Sequence, residues 1–301
     1  MYTPKRMHAQ RGQAFLIVVL VMVVALTVAL SIASRTLTNV RLTTEEVTSQ
    51  RAFSAAEAGV EQMLQKYGLQ ANQNQSISNI TLDTNTNTKI SDATISPVAP
   101  IFDTTSNSYQ LVLNNDAPIT QDDGYDIWLT PFNTDPSLLY QNPWPTSGGT
   151  GNLSIYWGDS TANTCSPTPS QNSMAAMELV VIYNTRSSPI VTKYAFDPCA
   201  LRDNSNKFTP VSSAGGPYTF GGRSFLYKIT VGITSGLIAR VIPVYASAVI
   251  GISSDSQLPA QGQMIVANGV SGSTSQIKRQ ISYFQAWNAL PSEYYHALFV
   301  R

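Results

Sequence analysis

The sequence predicts an α+β protein, in which a long N-terminal α-helix carries a mostly antiparallel β-rich head. Three observations predict it. An apolar run free of charge extends from Gly12 to Ser34. No proline falls between Pro4 and Pro97, and no glycine between Gly12 and Gly59. From about residue 101 onward, β-branched and aromatic runs alternate with clusters of Gly, Pro, Asn and Asp. These features divide the chain into a leader (1–12), a helix (13–67), a polar linker or loop region (68–100) and an exported β-rich head (101–301).

The inner half of the helix sets the location. Phe15 to Ile32 is almost wholly Leu, Ile, Val, Ala and Met. Some twenty such residues rise about 30 Å as a helix, the thickness of a bilayer's hydrocarbon core, whereas the apolar part of a cleaved secretory signal runs only about 7 to 15 residues. The membrane-crossing segment is therefore placed at about 14–34. Lys5, Arg6 and Arg11 precede it and only Arg35 follows closely, so the N-terminus is expected in the cytoplasm and the rest of the chain outside. The protein is expected to be single-pass in the cytoplasmic (inner) membrane, with its head at the cell surface.

With helix breakers absent, the helix is expected to continue from about Ala14 to Tyr67, roughly 80 Å at 1.5 Å per residue. In its outer half Leu37, Val40 and Val47, then Phe53, Ala56, Val60, Leu64 and Tyr67, recur at helical spacings with one slip. Such a stripe suits a docking domain or neighbouring helices. Within "AFSAAEAGVEQML", Ala52, Ala55, Ala56 and Gly59 recur at three- and four-residue steps and make a nearly flat face that another backbone can approach closely. The alternative is that these alanines simply suit a long helix while Phe53 and Val60 pack on the chain's own β-domain. Glu57 is placed either to pair with a neighbouring cation or to stand solvated.

After Gly68, "LQANQNQSISNITLDTNTNTKISD" is low in complexity and rich in turn formers, so it reads as a linker or loops with short strands such as Ile77 to Leu82. Strands are then expected at 109–114, 125–130, 153–158, 177–184, 191–197, 224–233 and 237–252. Two more follow in "QMIVANGV" and "SQIKRQISYFQAW". One mostly antiparallel sheet or sandwich accommodates them. The two cysteines, Cys165 and Cys199, both lie beyond the membrane segment, where an oxidising compartment favours a disulfide.

Composition narrows the function. Net charge is zero overall, with +4 on residues 1–35 and a small acidic excess beyond, so no basic patch points to nucleic acid. Histidine occurs only as His8 and His296, and there is no GxSxG, HExxH or phosphate loop, so no enzyme and no cofactor are expected. Asp83, Asn85 and Asn87 match the first ligand positions of a calcium loop, but Thr88 stands where glycine is needed and Thr94 where a bidentate glutamate belongs. Asp122 with Asp123, and Asp203 with Asn206, read as turn chemistry.

"RGQAFLIVVLVMVVALTVAL" followed by "QRAFSAAEAGVEQML" resembles the N-terminal region of type IV pilin-like proteins, in particular the PilX-type accessory (minor) pilins, over about residues 8–67. The resemblance implies that a prepilin peptidase cuts between Gly12 and Gln13 and that the new terminus is methylated. It also implies that the retained helix assembles with other pilin-like subunits on a pilus assembly platform. Ile17 departs from the pattern of major pilins, which carry a glutamate five residues after the cut. A carboxylate there is expensive in a bilayer unless paired, and its absence favours a tip or initiating subunit. The alternatives are a membrane-anchored surface adhesin outside any filament, and an anchored hydrolase for which no site is visible.

Overall fold

The structure is a computed structural model that describes residues 11–68, 74–133, 135, 138, 140–159, 164–166, 173–185, 187–273 and 276–287. Its first element, α1 (Arg11–Tyr67), is a single helix of 57 residues. Several threonines in its middle are poor helix formers, and they are accommodated by returning their hydroxyls to the helix. Thr36, Thr38, Thr43, Thr44 and Thr48 each donate to the carbonyl four residues back. The helix stops at Gly68, whose φ of +43° is left-handed and costs glycine little. The Gln263 side-chain amide donates to the Gly68 carbonyl and satisfies that end.

Beyond the helix, the described residues form sixteen strands, one short α-helix and a 3₁₀ segment at Leu113–Asp116. In chain order they are β1 (Gln75–Asp83), β2 (Thr88–Pro97), β3 (Ile101–Asp103), β4 (Ser108–Val112), β5 (Tyr125–Trp128), β6 (Thr150–Trp157), β7 (Ala176–Thr185), β8 (Ser188–Asp197), α2 (Asp203–Asn206), β9 (Thr209–Pro210), β10 (Tyr218–Phe220), β11 (Arg223–Phe225), β12 (Tyr227–Thr234), β13 (Gly236–Val244), β14 (Gly251–Ser254), β15 (Gly262–Ser271) and β16 (Ile277–Ala286). A docking sheet of order β1-β2-β15-β16 lies against the outer half of α1. Two five-stranded sheets, β12-β6-β14-β4-β3 and β5-β13-β7-β8-β9, form a sandwich, and β10 and β11 make a separate hairpin. Every strand pair is antiparallel except β8 with β9.

The stretch expected as linker or loops, 68–100, is instead largely the β1–β2 hairpin. Its polar composition comes from an edge strand, β1, that is only partly covered, beside β2, which buries one face. The head is likewise more than one sheet or sandwich. The docking sheet pairs residues 75–97 with 262–286, so the sandwich is inserted between β2 and β15. The long apolar run at 237–252 is divided between β13 and β14, with Tyr245 taking a left-handed φ of 70° between them.

Three apolar clusters follow from this arrangement. Trp157, Leu153, Ile155, Leu179, Val241 and Ile252 are among those that fill the sandwich. Met63, Ile90, Ile95 and Ile265 lie between α1 and the docking sheet. Trp128, Phe132, Ile238 and Trp287 seal the joint between the sandwich and the docking sheet, with the Phe132 and Trp287 rings stacked at 4.8 Å. The joint is also bonded through the backbone. Val98 N–H donates to Gly262 O at 2.9 Å, and Gln261 N–H to Val98 O at 2.7 Å. The Gln261 side chain is 1% exposed. It accepts from Trp128 N–H at 2.8 Å and donates to Trp128 O at 2.9 Å, standing in for a neighbouring strand. Gln261→Leu leaves both Trp128 groups without those partners in a dry joint, a cost of about 1 to 3 kcal/mol each before relaxation. Denaturant unfolding of the detergent-solubilised protein is expected to show that loss, with far-UV circular dichroism of the folded state unchanged.

Candidate functional site

The outer half of α1 is where the expected assembly residues meet the rest of the chain. Ala52, Ala55, Ala56, Gly59 and Met63 are buried along one line of the helix, at the i, i+3, i+4, i+7 and i+11 steps that share a face. Opposite them run Ala267 and Gly269 of β15 with Ile90 and Ala93 of β2. The approach is close enough to fix side-chain size on both elements. A Cβ at Gly269 would sit 2.0 Å from Ala52 O and 2.4 Å from Ala56 N. A Cβ at Gly59 would sit 3.0 Å from Ala267 Cβ. The flat face is therefore occupied by the chain's own sheet, and the backbone that approaches it is β15. Arg279 of β16 adds a polar tie, its Nε donating to Ser49 Oγ at 2.8 Å.

The apolar stripe expected along this half is displaced. Val60, Leu64 and Tyr67 do pack on the docking cluster as flanking, partly buried side chains. Phe53, in contrast, is 47% exposed, and Leu37, Val40 and Val47 are exposed as well. Helix-to-sheet contact here is decided by which residues are small enough for close approach, and Phe53 falls just off that line. Glu57 is exposed on the undocked side.

Every large apolar side chain from Phe15 to Ile32, Ile17 included, is exposed. Among the described residues this is the one helix long and apolar enough to cross a membrane. Thr27, one of two hydroxyl residues within that run, donates to Val24 O at 2.8 Å, which satisfies it without water. Arg11, Gly12 and Gln13 lie in the first turn of α1, with nothing described of their side chains, and residues 1–10 of the leader lie outside the described residues.

The remaining expected residues are spent on structure. Asp83 accepts from Asn85 N–H at 2.9 Å and from the Thr86 hydroxyl at 2.6 Å, closing the β1–β2 turn. The Thr86 hydroxyl, followed by these backbone donors, holds its carboxyl below the usual range. Asn87 takes a left-handed φ of 50° in that turn. No group of three His, Cys, Asp or Glu that could hold a metal occurs among the described residues. Asp123 accepts from Gly124 N–H in its own turn, and Asp203 opens α2. His296 lies outside the described residues.

Cys165 and Cys199 form a disulfide with a Cα–Cα distance of 5.4 Å across 34 residues of sequence. Chain entropy assigns such a loop about 3 to 4 kcal/mol. The bond is anchored in a buried polar cluster. Asp197 accepts from Cys199 N–H at 2.8 Å and from Arg202 at 2.6 and 2.8 Å, and the Arg202 guanidinium lies 4.3 Å from the Tyr245 ring centre.

Sequence reasoning missed a repeated turn. "DTNTNT" (83–88) and "DTTSNS" (103–108) share one pattern, and both fold alike. Asp103 accepts from Thr105 and Ser106 N–H and from the Ser106 hydroxyl, and Asn107 has a φ of 49°. The signal was the aspartate followed four residues later by an asparagine between hydroxyl residues. Gly269 was missed too, because inside "VANGVS" nothing local marks what it faces.

No family model, curated protein or solved structure matches the chain. The geometry therefore speaks alone, and its sharpest claim is the contact at Gly269. Gly269→Val would drive a branched side chain into Ala52 O and Ala56 N, an overpacking cost of about 1 to 3 kcal/mol or more. Thermal unfolding of the detergent-solubilised variant is expected at a lower temperature. Limited proteolysis is expected to cut the docked 52–67 segment faster in the variant than in the parent chain.

Proposed function

We propose that the protein is a structural accessory subunit of a type IV pilus or a related secretion pseudopilus, assembled through its N-terminal helix. The observation that carries the reading is the division of labour along α1. An exposed apolar half of membrane length continues without a break into an outer half, which docks to its own head through one face and leaves Val47, Phe53 and Glu57 on the surface. A simple anchor needs only the first half. A subunit that packs helix against helix gains from a rigid extension with one face still open, since the head keeps the other face straight.

In this reading Gly12 and Gln13 flank the processing site, and the partners are the prepilin peptidase, the assembly platform and other pilin-like subunits. Glycine leaves the scissile bond unshielded, and the basic leader holds it on the cytoplasmic side. In this reading Ile17, in place of a carboxylate, favours a tip or initiating subunit over the repeating body of a filament. A subunit with no earlier neighbour has no amino terminus to neutralise, so an unpaired carboxylate in hydrocarbon would be a net cost there.

The test is intact-mass measurement of membrane-extracted protein from cells with an active prepilin peptidase. The mature chain is expected to begin at Gln13 with the apolar run intact, and Gly12→Val is expected to retain Met1. A mature parent chain that keeps Met1, or one cut after Ala33, contradicts the reading.

A further inference from the structure

Toward the apolar half of α1, the helix and its sheet part. At Ala52 and Ala56 the two backbones lie almost in contact across Gly269. One turn nearer the membrane segment the same side of the helix becomes polar, with Arg51, Thr48, Glu45 and Arg41, and the docking sheet ends in its β1–β2 and β15–β16 turns. A cleft of about 520 Å³ opens there, between those helix residues and the turns at Thr86 and Ser273. Small-ligand sites run from about 300 to 1,000 Å³.

Two guanidinium groups and one carboxylate line the cleft. Arg41 meets Glu45 at 2.9 Å through its Nε, in a contact whose side chains are 81% and 51% exposed, so its terminal N–H groups stay available. Arg51 is exposed and makes no ion pair among the described residues. Of the chain's acidic residues only Glu293 lies outside them. Asp83 feels the Arg51 charge, after the larger effects of the Thr86 hydroxyl and Asn85 N–H, but its oxygens are taken by those two donors. Thr44 and Thr48 turn their hydroxyl protons to helix carbonyls, so the arginines are the principal donors on the helix wall. A guanidinium presents a planar fork of N–H groups that matches the oxygens of a phosphate.

The helix also fixes where the cleft stands. Its charge-free run ends at Ser34, and Arg41 and Arg51 follow seven and seventeen residues later, about 10 and 25 Å along the axis. Side chains of a helix lean toward its N-terminus, here toward the bilayer. The headgroup layer extends about 5 to 8 Å beyond the hydrocarbon on each side, so Arg41 reaches it directly. A lean of α1 toward its docked side, within the roughly 0 to 40° that membrane helices adopt, lowers Arg51 toward the same layer. Lys278 and Arg279 open β16 at this end of the sheet, and the lean brings their charge down as well.

We propose that the cleft binds the headgroup phosphate of an anionic phospholipid, in the leaflet that faces the head, through Arg41 and Arg51. The lipid then holds α1 in its lean and sets the height of the head above the membrane. The inference rests on the membrane-crossing part of the reading above and not on filament assembly.

The test titrates the full chain in detergent with phosphatidylglycerol, and separately with phosphatidylcholine of the same acyl chains, and counts bound lipid by native mass spectrometry. Phosphatidylglycerol is expected to bind at least fivefold more tightly. Arg51→Gln is expected to weaken its binding at least threefold, and Arg41→Gln combined with Arg51→Gln at least tenfold. Lys66→Gln, which removes the same charge from the far end of α1, is expected to leave it unchanged. Melting temperatures equal to the parent's show that the variants fold. Equal binding of the two lipids, or a loss in Arg51→Gln no larger than in Lys66→Gln, overturns the proposal. Displacement of the lipid by equimolar glycerol phosphate also overturns it, by assigning the cleft to a free phosphate compound. All variants are compared with the same N-terminus, so a failure here is distinct from a failure of the cleavage test.

Discussion

The close approach of two backbones, α1 at Ala52 to Gly59 and β15 at Ala267 to Gly269, is the constraint on which the rest of the structure depends. Small side chains on both elements let the helix lie almost in contact with the sheet, so that the larger Met63, Ile90, Ile95 and Ile265 close over the flanks. Each of those larger side chains is worth about 1.5 to 3 kcal/mol in burial. They can collect it only at the distance that the small residues permit. A docked helix of this kind needs no bulky apolar residue at the centre of its buried face, which is why Phe53 can remain outside.

That contact organises the head as well. β15 and β16 come from the far end of the chain, yet they pair with β2 and bond to the helix, so the sandwich between residues 101 and 258 is held at both of its connections. Val98, Gln261 and Gly262 join the two strands where the sandwich departs, and Trp128, Phe132 and Trp287 exclude water from the same place. The head is thereby carried on the helix through a dry, hydrogen-bonded joint. The joint ties the position of the sandwich directly to that of the helix.

Much of this was legible from residues alone. The helix expected over 14–67 is α1, because the absence of Gly and Pro over that interval leaves no place to stop. Each β-branched run expected from 109 onward contains a strand, and the two cysteines are bonded. What was not legible depended on tertiary partners. Residues 75–97 looked like a linker because an Asn- and Thr-rich strand with one covered face has nearly the composition of a loop. The small face at Ala52, Ala55, Ala56 and Gly59 was legible, but which backbone would cover it was not, and Phe53 was misplaced because its apolar character marks it for burial while the contact selects for Ala and Gly. The role of Gly269 depends on strand order, which no local pattern encodes.

Cysteine accessibility along the helix tests the central contact most directly. Phe53→Cys and Met63→Cys, made separately, place a thiol at an exposed and at a buried position of the outer helix without adding volume. In the detergent-solubilised protein under native conditions, Phe53→Cys is predicted to react rapidly with a maleimide. Met63→Cys is predicted to stay protected until the protein is unfolded. Equal rates at the two positions, or protection at Phe53→Cys with reaction at Met63→Cys, would contradict the docking of α1 on β15 described here.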